Sequence, residues 1–216
     1  LVRMMVERYA AGPRAGLRRA VKAAAPVDYP DVGLYHPRLR GRIGAEAAAL
    51  PRPAGPVAGT VGVLVMRSYV LAGNTGHYDG VIAALEARGL RVVPAFAHGL
   101  DARPAIERFF VAAGPGGKPR PIVDAVVSLT GFSLVGGPAY NDAKAAEEIL
   151  AGLDVPYLAA QPLEFQTVEQ WRESPRGLHP VESTIMVAIP ELDGAVVPMV
   201  FGGRSSTSAP GAARDM

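Results

Sequence analysis

A polar, glycine-containing stretch at residues 67–79 follows the first buried strand that the sequence predicts. In it Asn74, Thr75 and His77 come directly before an apolar pattern of helical spacing. The free N–H groups at a helix N-terminus favour an anion, so this loop is a candidate ligand site. The structural alternative is that Asn or Thr simply caps the helix. The glycine spacing does not match a dinucleotide-binding fingerprint, which disfavours NAD.

A second loop, residues 128–142, carries apolar side chains that loops seldom keep unless a surface covers them. Thr130 and Phe132 lie near its start, after the third predicted strand. The covering surface is a flat apolar ligand, a partner subunit or another domain, and the pattern favours a partner or a domain over a ligand.

Other chemistries are disfavoured by residue type and spacing. The chain has no cysteine, which excludes disulfides and thiolate metal sites, and its four histidines show no zinc-like short spacing, so no metal site is predicted. The glycine-rich stretch at residues 114–119 lacks the first glycine of a phosphate-binding loop, and Pro119 stands where magnesium binding needs Ser or Thr. We interpret it as a turn.

His179 and Glu182 stand three residues apart at a predicted helix start. Residues at this spacing share a helix face, so capping or surface exposure is favoured over catalysis. Glu164 and Gln166, after the fourth predicted strand, are weaker candidates of the same kind.

The elements that must position these loops are strands alternating with helices. Apolar runs predict five strands, at residues 61–66, 90–96, 122–129, 156–160 and 196–201. Helical patterns separate them, and such alternation indicates an α/β fold with a parallel five-stranded sheet and helices on both faces. The strand order is either flavodoxin-like, 2-1-3-4-5, or a Rossmann-like variant. Ligands of such sheets bind at the carboxyl ends of the strands.

The sequence predicts three zones: a helical and irregular basic segment with a linker at residues 1–58, an α/β domain at 59–204 and a flexible tail at 205–216. A break at residues 11–13 divides the first zone into two helices. Residues 1–60 contain ten Lys or Arg and four Asp or Glu. These basic residues alternate with alanine and lack aromatic stacking partners, so no nucleic-acid partner is predicted.

No apolar stretch is long enough for a membrane span, and no signal peptide is evident. Together with the lack of cysteine, this favours a cytoplasmic location. The first residue is Leu1 and the chain begins in mid-pattern, so we expect a truncated chain from a longer protein.

Five strings in the sequence resemble the family of magnesium chelatase large (H) subunits, in particular the bacteriochlorophyll type. They are residues 30–37 (PDVGLYHP), 58–69 (AGTVGVLVMRSY), 84–96 (ALEARGLRVVPAF), 127–139 (VSLTGFSLVGGPA) and 188–194 (AIPELDG). The resemblance extends over roughly residues 30–204.

The resemblance implies a porphyrin-binding subunit that inserts Mg²⁺ into protoporphyrin IX, while two AAA+ ATPase partner subunits hydrolyse ATP. Chelation requires removal of two pyrrole protons and a slot for the ring with polar groups for its propionates. On this basis His77 is the catalytic candidate, and the substrate-binding candidates are Arg67 (facing a propionate), Asn74, Thr130 and Phe132. The fragment alone is expected to be inactive.

Two alternatives stay open. One is the related cobaltochelatase large subunit, which acts on a corrin precursor. The other is a non-catalytic module that docks the ATPase subunits.

Overall fold

The computed structural model describes residues 1–25, 27–53, 55–117, 119–137, 139–206 and 213–215. The chain forms two compact units, Leu1–Pro30 and Asp31–Met216. The first contains helix α1 (Val2–Tyr9), a 3-10 turn at Gly12–Arg14 and helix α2 (Leu17–Ala20), and no residue of these elements is buried. The glycine and proline of the turn separate the two helices, as predicted.

The second unit contains a large sheet, two small hairpins and seven helices among the described residues. The strands are β1 (Val32–Tyr35), β2 (Ile43–Gly44), β3 (Gly59–Leu64), β4 (Leu90–Ala97), β5 (Val111–Ala113), β6 (Pro119–Pro121), β7 (Ala125–Ser128), β8 (Gly136–Gly137), β9 (Tyr140–Asn141), β10 (Tyr157–Leu163), β11 (Val196–Arg204) and β12 (Ala213–Asp215). The helices are α3 (Arg67–Ala72), α4 (Gly76–Glu86), α5 (Arg103–Phe109), α6 (Ala143–Leu153), α7 (Val168–Glu173), α8 (Pro180–Glu182) and α9 (Ile189–Leu192). A π-helical segment, Ser183–Ala188, joins the last two.

The large sheet has eight strands in the order β12-β11-β10-β7-β3-β4-β1-β2. The five strands from β11 to β4 are parallel to one another, and numbered among themselves along the chain they lie in the order 2-1-3-4-5. The expected count of five is wrong for the sheet as a whole. Antiparallel strands extend both edges, β1 and β2 beside β4, and β12 beside β11. The prediction relied on strands that alternate with helices, and this pattern does not reveal the short antiparallel strands β1, β2 and β12.

The α/β unit begins earlier than residue 59, where the sequence placed its start. Val32–Tyr35 pairs with β4 and belongs to the sheet. Gly33 makes this pairing possible, because a Cβ built there would lie 2.6 Å from the ring of Phe96. Of the expected tail, residues 207–212 and Met216 lie outside the described residues, whereas Ala213–Asp215 forms β12.

The core occupies both faces of the sheet. One cluster packs under α4 and includes Tyr35, Val63, Tyr78, Ile82 and Phe96. The other packs under α5 and α6 and includes Leu64, Ile106, Phe110, Val126 and Leu153. The five strands between the two clusters run in the same direction, so their carboxyl ends lie together on one side of the sheet, which we call the carboxyl edge.

Candidate functional site

The β1–β2 hairpin, on the antiparallel side of the sheet, holds α4 in place. On α4, Asp79 accepts a hydrogen bond from the Tyr35 hydroxyl and pairs with Arg42. His36 Nε2 lies 3.3 Å from Glu86 Oε1, and burial lowers the pKa of His36. The string at residues 30–37 thus fixes the helix whose first turn reaches the carboxyl edge.

A cleft of about 250 Å³ opens at the carboxyl edge, between the ends of β10 and β11 and the start of α4. We call it the β10–β11 cleft. Its lining residues are Tyr69, Asn74, His77, Pro162, Leu163, Glu164, Gly203 and Arg204. Two of the five predicted site residues, Asn74 and His77, therefore line one cleft.

His77 is 1% exposed and lies within a group of aromatic rings. Its ring centroid is 3.9 Å from that of Tyr78, 5.4 Å from Tyr69 and 5.6 Å from Phe201. Burial lowers the pKa of His77 to about 4, because little around the ring compensates a positive charge. Nδ1 is buried without a hydrogen-bond partner in the described part of the chain. The imidazole is therefore neutral near pH 7.

The opposite wall of the cleft is Glu164, which follows β10. Its carboxylate accepts a hydrogen bond from the Tyr69 hydroxyl, and its main-chain carbonyl accepts one from the Arg204 guanidinium, 2.5 Å away. Burial and the hydrogen bond to Glu164 raise the pKa of Tyr69, which stays a neutral donor. The cleft thus combines one cation, one carboxylate and two neutral polar rings.

The fully buried carboxylate of Glu182 fixes the loop that contains Glu164. It accepts hydrogen bonds from the main-chain N–H groups of Glu164 (3.0 Å), Phe165 (2.9 Å) and His179 (3.1 Å), and from the amide of Gln166 (2.8 Å). The contact with the His179 N–H is part of a capping box at the start of α8. The capping role predicted for His179 and Glu182 is confirmed, and the buried carboxylate also fixes the loop after β10.

Thr130 and Phe132 lie elsewhere on the carboxyl edge. They line a narrow crevice of about 30 Å³ among the ends of β3, β4 and β7. Thr130 Oγ1 is 3.0 Å from Ser128 Oγ and accepts a hydrogen bond from the main-chain N–H of Phe132 at 3.3 Å, a local turn arrangement. No described residue lines both this crevice and the β10–β11 cleft.

The loop behind this crevice is anchored by Asp193, from the string at residues 188–194. Its Oδ2 accepts hydrogen bonds from Ser133 Oγ and the Leu134 N–H, both at 2.7 Å. Burial raises the pKa of Asp193. Two of the strings that carried the family resemblance therefore contact each other, and the apolar loop packs within its own domain.

Arg67 borders neither space. Its guanidinium lies 3.7 Å from Asp31 Oδ1, beside β1. Conversely, Tyr69 and Arg204 line the cleft but were not predicted as site residues. Arg204 ends the last parallel strand, and ligands of parallel sheets bind at such carboxyl ends, so this signal could have identified it. The described residues contain no group of three or more His, Asp or Glu side chains placed to hold a metal ion. Nor does any helix within the described ranges have the length and apolarity to cross a bilayer.

The fold and the cleft define an α/β domain with a polar site at the carboxyl edge of its parallel strands. The structure is similar to one solved as the catalytic subunit of cobaltochelatase from Mycobacterium tuberculosis, with a TM-score of 0.62 and 24% identity over 100% of this chain and 18% of that one. At this identity the likeness shows the fold.

Sequence comparison identifies the family. The family profile described as CobN/Magnesium Chelatase matches residues 1–215, and the chain belongs to this family. It is 58% identical to the H subunit of magnesium chelatase from Rhodobacter capsulatus over 94% of its length, and 57% identical to that from Cereibacter sphaeroides over 96%. It is 30% identical to the CobN subunit of an aerobic cobaltochelatase from Sinorhizobium sp over 64% of its length, which is 10% of that relative. The chain spans only 16% and 17% of the two magnesium-chelatase relatives.

Proposed function

We propose that this chain is part of the porphyrin-binding large subunit of a magnesium chelatase of the bacteriochlorophyll type. The observation that carries the proposal is the identity of 57–58% with two proteins named as magnesium-chelatase subunits. Identity with proteins named CobN is 30–31% over a smaller share of the chain. This difference favours magnesium and protoporphyrin IX over cobalt and a corrin precursor.

The complete protein would bind protoporphyrin IX and insert Mg²⁺ in the cytoplasm, with ATP hydrolysed by two AAA+ partner subunits. Within this chain the β10–β11 cleft is the proposed contact with the macrocycle, through Asn74 and His77. Its volume of about 250 Å³ suits one edge of a tetrapyrrole, so other parts of the protein would cover the rest of the ring. Thr130 and Phe132 would contact substrate only from their separate crevice.

The pKa of His77 bears on what it does in the cleft. A side chain with a pKa of about 4 is a weak proton acceptor near pH 7. A neutral, buried ring at the wall of the cleft supports a contact with substrate better than removal of pyrrole protons.

The test is a metal-insertion assay with the full-length protein and its two ATPase partners. Protoporphyrin IX with Mg²⁺ and ATP should give the magnesium porphyrin, while a corrin precursor with Co²⁺ should give no product. Cobalt insertion into the corrin without magnesium insertion would contradict the proposal. If the protein binds the ATPases but not protoporphyrin IX, the docking alternative is correct instead.

A further inference from the structure

Arg204 is the only cationic side chain among the described residues that line the β10–β11 cleft. Its guanidinium donates to the main-chain carbonyl of Glu164. No salt bridge to it is present in the described part of the chain, where all seven ion pairs involve other residues. A guanidinium has five N–H donors, so Arg204 retains donors for a ligand.

The neighbouring groups leave this positive charge largely uncompensated. The carboxylate of Glu164 is the one negative group of the described lining, and it is already bonded to the Tyr69 hydroxyl. His77 is neutral and 1% exposed, and its Nδ1 has no partner within the described ranges. The first turn of α4, an 11-residue helix without a side-chain cap, borders the cleft at His77 and adds partial positive charge.

Gly203 shapes the space beside Arg204. A Cβ at this position would lie 2.7 Å from Leu163 Cβ, so only glycine lets β11 approach β10 closely here. The close approach brings the Arg204 and Glu164 sides of the cleft together.

We propose that Arg204 binds a carboxylate of the ligand in the β10–β11 cleft, and that this carboxylate is a propionate of the tetrapyrrole. The identity of the ligand rests on the proposed function. A planar guanidinium suits a carboxylate because two parallel N–H groups can bind its two oxygens. The sequence assigned a propionate contact to Arg67, but that residue lies outside the cleft, beside Asp31.

The test compares protoporphyrin IX with its dimethyl ester, which keeps the macrocycle and lacks the negative charges. Full-length wild type, Arg204→Gln and Arg204→Lys are titrated with each porphyrin, and Kd is measured by fluorescence quenching. Arg172→Gln is the matched control, since Arg172 is exposed on the neighbouring helix α7 and does not line the cleft.

Arg204→Gln should weaken binding of the acid about tenfold or more, because a hydrogen bond between charged groups is lost. Binding of the ester should not change, Arg204→Lys should recover part of the loss, and the control should bind both porphyrins like wild type. An equal loss for acid and ester would show a structural role for Arg204 and overturn the proposal, as would no loss for either. A wild-type protein that binds neither porphyrin contradicts the proposed function itself, and this inference falls with it.

Discussion

At the scale of single residues, burial decides what the polar groups of the cleft can do. The imidazole of His77 is enclosed by Tyr69, Tyr78 and Phe201 and is held neutral, so it serves as a flat polar ring. Arg204, by contrast, is exposed. Under the proposed function, Arg204 would bind a carboxylate of the macrocycle, and the buried ring of His77 would form part of the cleft wall.

Burial of His77 predicts a pH dependence of local stability. Its pKa is about 4 in the folded chain and 6.5 as the reference, so the unfolded state binds more protons between these values. The stabilisation is complete above pH 6.5 and declines as the pH falls toward 4, by about 3.5 kcal/mol at roughly 1.4 kcal/mol per pKa unit. His77→Phe keeps an aromatic ring and should remove the part of this dependence that His77 contributes, while His36, whose pKa is also lowered, keeps its own part. Amide hydrogen exchange of α4 in the full-length protein, at pH 7 and pH 5, measures it, and an unchanged pH dependence in the variant would contradict the account.

At the scale of elements, the cleft depends on two contacts between segments far apart in the chain. Glu182 at the end of α8 holds the loop after β10, and Asp79 on α4 holds the β1–β2 hairpin. Each buried or half-buried carboxylate receives donors from another element, so removal of one group loosens a whole segment.

Replacing Glu182 with Gln tests the first contact. The amide turns an N–H donor toward main-chain donors and leaves at least one of them unsatisfied, which costs about 1–3 kcal/mol. Hydrogen exchange of residues 163–167 should speed up, while Glu191→Gln, at an exposed position on α9, should leave it unchanged. Equal exchange in both variants would show that Glu182 does not order the loop.

Two glycine-to-alanine changes, one in strand β1 and one in a helix, should alter stability with opposite signs. Gly33→Ala places a Cβ against the Phe96 ring and should destabilise the fold by about 1–3 kcal/mol. Gly152 lies in α6, and a Cβ built there would have no neighbouring atom within 4 Å. Gly152→Ala should therefore stabilise the fold by about 0.5–1 kcal/mol. Thermal unfolding of the full-length protein measures both, and a neutral Gly33→Ala would mean that β1 is not packed as described.

The sequence predicted the elements that depend on local patterns, and it did not predict those that depend on contacts between residues far apart in the chain. Apolar runs located the five parallel strands, because each run is a local signal of a strand buried on both faces. They missed α3, a six-residue helix inside the predicted loop at 67–79, and the antiparallel strand β1 between prolines. Contacts of Glu182 to residues 16–18 positions away in sequence depend on how β10 and α8 meet, which periodicity does not report. Of the predicted site residues, Asn74 and His77 were brought together because both lie at the start of the same helix.

At the scale of the whole molecule, the chain belongs to the CobN/magnesium chelatase family. It spans 16–17% of the two magnesium-chelatase relatives described above, and its β10–β11 cleft has a volume of about 250 Å³. We propose that the domain supplies contacts for binding. Its described residues do not themselves assemble a metal-holding cluster.

The most direct measurement is a cryo-electron microscopy structure of the full-length protein with protoporphyrin IX bound. We expect density for a macrocycle edge at the β10–β11 cleft, with a propionate beside the Arg204 guanidinium and the ring edge near His77. Density for the porphyrin at another surface, with this cleft empty, would contradict the account, although the family of the chain would stand.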